Sequence, residues 1–284
     1  MQNSPPTSLW VAYENQRVHA LRFGSGKRLL IIFHGFADRA ALFLKFEEIL
    51  TADFDIVAVD LPYHGDTEWQ KDSFKPADIL AIVADILAQT GYARYNLMAH
   101  SMGGFVALKL YTLAAAQIDA LILLAPGGIY KALPFNKYVF NLSARRFLRY
   151  TMGSKLMPNI MRVSYKMRLL HRSFYEFIEL HFVNERRRQR LFNSWLSLYY
   201  FDLDLPAIQK LILEYKTGIV LFYGSKDKIT PVRYAEAFIK PLPNAQIHLV
   251  EDNHFFIRSP LKEALGDWLT AGGLAGLLPP NVEK

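Results

Sequence analysis

The sequence contains no cysteine. Disulfides, thiolate metal sites and a cysteine nucleophile are excluded, and a reducing compartment fits. Also missing are a Gly-x-Gly-x-x-Gly phosphate loop, a cluster at metal-ligand spacing, an internal repeat and a low-complexity tract. The longest uncharged run, 268–282, is broken by Gly272-Gly273 and Pro279-Pro280, so no membrane span is expected. Residues 1–7 are polar and proline-bearing with no apolar stretch behind them. The expectation is a chain without a signal peptide, in the cytoplasm.

What remains is ordinary globular material: 284 residues, 51% hydrophobic and 21% charged, enough for one large core or a core with an insertion. The net charge of +7 is unevenly spread. Residues 130–215 hold 15 Lys+Arg against 6 Asp+Glu, a balance of +9, and the remainder holds 18 against 20, a balance of −2.

The chain is organised around 94–108. Residues 95–98 are a short apolar run that suits a buried strand, and a helical pattern runs from Phe105 to Ala116. Between them lies Ala99-His100-Ser101-Met102-Gly103-Gly104. Strand, sharp turn with a central serine, then helix is the context of a nucleophile elbow, in which the serine is strained and its hydroxyl raised above the strand ends. Only small side chains fit two residues before and after such a serine, and here these are Ala99 and Gly103. Gly104 allows close approach of the helix to the sheet.

The segments 9–14 and 17–23 read as an edge hairpin, and 29–33, 55–59, 95–98 and 119–124 as buried strands. Helices are expected at 40–50, 76–90 and 105–116, alternating with those strands. The alternation stops at Gly127 and resumes with strands at 217–223 and 246–250 and helices at 232–239 and 261–271. This is the pattern of an α/β fold, an eight-stranded, mostly parallel, doubly wound sheet. The core is expected at 1–126 and 216–284, interrupted at 127–215 by an all-helical, basic, aromatic-rich cap.

Ligands on open α/β sheets bind beyond the carboxyl ends of the strands. The residues just past those ends are His34-Gly35-Phe36, Ser101, the loop Gly224-Ser225-Lys226-Asp227-Lys228-Ile229-Thr230-Pro231, and Glu251-Asp252-Asn253-His254. Ser101, Asp227 and His254 therefore open at one rim. Asp202 and Asp204 read as helix caps or solvated charges, Asp60 as a strand-end residue organising its loop, and His100 as packing behind the elbow. His34 and His64 read as structural, and His19, His171, His181 and His248 as incidental.

His34-Gly35-Phe36, Asp60-x-Pro-x-His-Gly, the elbow, Gly-x-x-Asp-x-x-x-Pro at 224–231 and the late His254 occur in one order along nearly the whole chain. In this the sequence resembles the α/β-hydrolase superfamily, whose members also carry a helical cap inserted after the sixth strand. Ala99 stands where the commonest pattern has glycine, and Asn253 stands where glycine is common before the histidine.

The resemblance implies a catalytic triad of Ser101, Asp227 and His254. It also implies an oxyanion hole of the Phe36 and Met102 backbone N–H groups, supported by His34, Gly35 and Gly103. Such a triad needs neither cofactor nor metal. It implies cleavage of a carboxylic ester or thioester, with carbon–carbon bond hydrolysis, cofactor-free peracid formation or a noncatalytic ligand-binding member as alternatives. A serine at the elbow disfavours the dehalogenases and epoxide hydrolases of this fold, which use aspartate.

The expected substrate is a small acyl compound. The cap aromatics, from Phe135, Tyr138 and Phe147 to Tyr175, Trp195 and Phe201, can line an acyl pocket, although most would pack the cap itself. The run Glu185-Arg-Arg-Arg-Gln-Arg190 reads as a solvated helix face. A +9 surface attracts anions: an acyl group on coenzyme A or acyl carrier protein, or an acidic membrane surface. No module for nucleic acid is present.

Overall fold

A computed structural model describes residues 5–130, 156–169, 182–258 and 260–277, together with Tyr175 and Glu179. The expected aromatics Phe135, Tyr138 and Phe147 lie outside the described residues, as do His171 and His181. Two compact units are formed. One comprises 1–70, 74–131 and 201–284, and the other 71–73 and 132–200.

The first unit is built on an eight-stranded sheet: β1 Thr7–Tyr13, β2 Gln16–Phe23, β3 Arg28–Phe33, β4 Phe54–Val59, β5 Tyr95–His100, β6 Ile118–Leu124, β7 Gly218–Gly224 and β8 Ala245–Val250. Their order is β1-β2-β4-β3-β5-β6-β7-β8. The hairpin β1-β2 and the pair β2-β4 are antiparallel, and every other pair is parallel. β4, β5, β6 and β7 are buried along their whole length, as continuous apolar runs require when helices cover both faces.

The chain leaves β3 for its neighbour on one side, β4, and then crosses to the other side to form β5. The carboxyl ends of β3 and β5 therefore flank a topological switch point, where a crevice must open. Phe33 pairs with Ala99, so His34, the first residue past β3, comes beside His100, the last residue of β5.

The segment expected as an α-helix over 40–50 is a 3₁₀ helix, Ala40–Phe46, followed by one α-turn, Glu47–Leu50. Its buried residues are Ala40, Phe43 and Phe46, spaced by three, which matches the three residues per turn of a 3₁₀ helix. The helix Pro76–Thr90 begins on its proline and ends on Gly91 in the left-handed conformation. The helix Leu205–Tyr215 falls with the sheet unit, its Ile208 and Ile212 buried there. Asp204 caps it, accepting a hydrogen bond from the Ala207 N–H at 3.2 Å.

In the second unit, helices Leu156–Lys166 and Glu185–Leu198 are described. In the latter, Leu191, Phe192 and Leu196 are buried. The arginine run is mostly solvated, but Arg188 turns inward and donates to the Phe182 carbonyl at 3.2 Å. Among the described residues no helix is long and apolar enough to cross a membrane.

Candidate active site

Ser101 stands between β5 and the helix Met102–Ala114 with φ 47° and ψ −113°. A non-glycine residue there costs about 1–3 kcal/mol, and the surroundings hold it in place. The Ser101 N–H donates to the Leu124 carbonyl at 3.0 Å, while its own carbonyl accepts from Gly104 at 2.9 Å and Gly127 at 2.7 Å. Both following glycines are required by contact. A Cβ on Gly103 would lie 2.4 Å from the Phe33 carbonyl oxygen, and one on Gly104 would lie 2.5 Å from the Pro126 Cβ. The elbow helix is thus pressed against the end of β3 and the loop after β6.

His254 Nε2 lies 2.9 Å from Ser101 Oγ, and His254 Nδ1 lies 2.7 Å from Asp227 Oδ2. The Asp227 side chain has no solvent exposure. Its Oδ1 accepts from the Ile229 and Thr230 N–H groups at 2.7 and 2.9 Å, and its Oδ2 from the Thr230 hydroxyl at 2.8 Å. Burial pushes this carboxyl up. The hydrogen bond and charge of His254 and the two Thr230 donors outweigh burial and leave it below the ordinary aspartate range.

The loop before His254 departs from glycine without loss of order. Asn253 Oδ1 accepts from the Phe255 N–H at 2.8 Å and so braces the turn that carries the histidine. Gly224 supplies the space: a Cβ there would lie 2.3 Å from the Asn253 carbonyl oxygen.

His34 is buried, with Nδ1 2.7 Å from the Gly35 carbonyl and Nε2 accepting from the Leu61 N–H at 3.0 Å. Only the neutral ring with its proton on Nδ1 satisfies both. Burial, partly opposed by the Gly35 hydrogen bond and the Asp60 and Asp38 charges, lowers its pKa in the same sense. The ring thereby ties the Gly35-Phe36 turn to the loop after β4. A Cβ on Gly35 would lie 2.7 Å from His100 Nδ1, so the turn lies directly against the elbow. Met102 is the first residue of its helix, where an N–H has no intrahelical partner.

Asp60 organises its loop as expected. Its carboxylate accepts from the Ala40 N–H at 2.6 Å and the Asp66 N–H at 2.9 Å. A Cβ on Gly65 would overlap that carboxylate. His19 is not incidental: its Nδ1 lies 2.8 Å from Asp60 Oδ2, deep in the same anchor. The cluster His19, Asp60 and Asp66 has its ligand-type atoms within 4.8 Å of one another, but they are engaged in these hydrogen bonds and in the Asp66–Arg39 ion pair.

The remaining histidine at the site is His100, packed against the His254 ring with centroids 5.6 Å apart and with Nδ1 3.7 Å from Asp38 Oδ2. Burial lowers its pKa, with Asp38 opposing. Thr230 and Asp38 were not singled out from sequence. Thr230 had a readable signal, a hydroxyl residue three positions after the acid in a turn.

Residues 28–257 match the family model of the alpha/beta hydrolase fold. The chain belongs to that family. Among curated relatives of this hydrolase, the uncharacterized hydrolase YugF of Bacillus subtilis (strain 168) is 24% identical over 230 residues, covering 78% of this chain and 81% of YugF. The poly(3-hydroxyalkanoate) depolymerase of Ectopseudomonas oleovorans is 23% identical over 230 residues, 80% of this chain and 78% of that one. Among solved structures, the carboxylesterase CesB (YbfK) of Bacillus subtilis superposes with a TM-score of 0.62 at 13% identity, covering 94% of this chain and 91% of its own.

Proposed function

We propose that the chain is a serine hydrolase cleaving a carboxylic ester or thioester through an acyl-enzyme on Ser101. The observation that carries this is the unbroken relay from Asp227 through His254 to Ser101, at 2.7 and 2.9 Å, on a strained elbow. His254 Nε2 takes the Ser101 proton as Oγ attacks the acyl carbonyl carbon. Asp227 holds the Nδ1–H tautomer and stabilises the imidazolium. The tetrahedral oxyanion is bound by the Phe36 and Met102 N–H groups, a class of donor whose single removal costs about 100- to 1000-fold in turnover.

His254 then gives its proton to the departing alkoxide or thiolate. A water, deprotonated by the same nitrogen, attacks the acyl carbon and returns Ser101 Oγ–H with release of the acid. A relative named as a poly(3-hydroxyalkanoate) depolymerase supports this chemistry class. The test is turnover of p-nitrophenyl esters from acetate to long acyl chains, alongside the matching acyl thioesters, by wild type and Ser101→Ala. The expected result is turnover that falls by on the order of 10⁶-fold in the variant. Equal turnover by the two proteins would overturn the assignment.

A further inference from the structure

The helix Leu156–Lys166 ends in a reversal in which the Arg168 N–H donates to the Tyr165 carbonyl at 2.9 Å and the Leu169 N–H to the Ser164 carbonyl at 3.0 Å, with Arg168 at φ 59°. Ile160, Val163 and Met167 recur at i, i+3 and i+7, the spacing that normally faces a core. Here they are 41%, 54% and 64% exposed, and Leu169 beyond them is 70% exposed.

Tyr165, about 160° round from both Val163 and Met167 at 3.6 residues per turn, is half-buried and stacks on Tyr175 with centroids 4.2 Å apart. Arg162 and Lys166 border the apolar stripe along one edge, about 100° and 60° from Val163 by the same geometry. Both they and Arg168 are exposed, and none has a side-chain ion pair or hydrogen bond among the described residues. No acidic residue occurs in 156–169.

We propose that 156–169 docks this chain on a bilayer surface bearing anionic lipid. An apolar stripe in water with unpaired cations along its edge matches the acyl–headgroup boundary. Ile160, Val163, Met167 and Leu169 enter the acyl layer, while Arg162, Lys166 and Arg168 reach the lipid phosphates. Charge complementarity selects the partner, since three cations on a segment with no acid of its own gain more from an anionic surface than from a zwitterionic one. The inference stands independently of the reaction assigned to Ser101.

The test is co-sedimentation of the full chain with vesicles of phosphatidylcholine alone or mixed in equal parts with phosphatidylglycerol. The expected preference for the mixed vesicles is on the order of 100-fold for three cations, and it disappears in high salt. Arg162→Glu/Lys166→Glu/Arg168→Glu removes the preference, and Ile160→Ser/Val163→Ser/Met167→Ser removes binding. Both variants keep wild-type turnover of a soluble ester. Because the sequence has no cysteine, Met167→Cys gives a single site for an environment-sensitive dye, whose emission shifts blue on the mixed vesicles. Equal binding to the two vesicle types, an unshifted dye, or binding to an acidic acyl carrier protein without vesicle binding would each overturn the proposal.

Discussion

Asp227 accepts three hydrogen bonds from its own loop before it meets His254, and that loop holds its carboxylate buried against the imidazole rather than solvated. Asp227→Asn keeps the shape but presents an amide to His254 Nδ1, reversing the tautomer, and turnover is expected to fall by about 10⁴-fold. Thr230→Val keeps the backbone donor and removes the hydroxyl, which donates to Oδ2 at 2.8 Å and has longer contacts to His254 Nδ1 at 3.3 Å and the Ala125 carbonyl at 3.4 Å. A hydrogen bond to a charged group contributes about 1.5–3 kcal/mol, so the expected loss in kcat is roughly 10- to 100-fold, with recovery in Thr230→Ser. A wild-type rate in Thr230→Val would show that the backbone donors alone hold the carboxylate. Ser101, Asp227 and His254 were legible because each follows a strand end in a short motif. Thr230 and His19 were harder to read, because their roles depend on which carboxylate the folded chain brings to them.

At the scale of elements, the site is assembled by close approaches that glycines permit. Gly103→Ala would set a methyl group against the Phe33 carbonyl, a backbone atom that cannot swing away. The helix must then tilt off β3 and separate the Met102 N–H from the Phe36 turn. Overpacking of this kind costs about 1–3 kcal/mol, and the measurable result is a lowered melting temperature with a larger fractional loss in kcat than in KM. An unchanged kcat would mean that the elbow and the turn need not stay in register. The strands and the helices flanking the elbow were readable from apolar runs and their punctuation. The 3₁₀ character of Ala40–Phe46 was not, since a spacing of three also occurs within an α-helical pattern. Asn253 escaped for a related reason: its amide replaces glycine by a hydrogen bond visible only in the folded turn.

Across the whole molecule, buried titratable groups set the pH range of stability. Asp60 is pushed up by burial, but its backbone donors and His19 outweigh this and hold it below the ordinary range, as Asp227 is held. Each contributes stability that is fully present above the unfolded aspartate value of about 3.9 and lost as pH falls through the lower folded value. His34 and His100 are also lowered, so they favour the folded state above the ordinary histidine value of about 6.5 and oppose it as pH falls below. Melting temperature is therefore expected to decline in two stages on acidification. Asp60→Asn should melt below wild type at neutral pH, with the gap narrowing below about pH 3.9, where Asp60 of the unfolded wild-type chain begins to gain its proton while the folded one, held lower, does not. A gap independent of pH would contradict this role for the Asp60 charge.

The order of the strands was legible only in part. Alternation of apolar runs and helical patterns indicates a parallel sheet, but the crossing from β4 over β3 to β5, which sets the switch point beside Ser101, is a property of the assembled sheet. The charge of the 130–215 segment was plain in the sequence, whereas the exposure of Ile160, Val163 and Met167 beside it required the structure. The most direct test of the account is covalent labelling by a fluorophosphonate, with the modified residue located by mass spectrometry. The account predicts one label, on Ser101 Oγ, absent in Ser101→Ala and formed far more slowly in His254→Ala. A wild-type protein that takes no label, or one whose labelling survives Ser101→Ala, would contradict it.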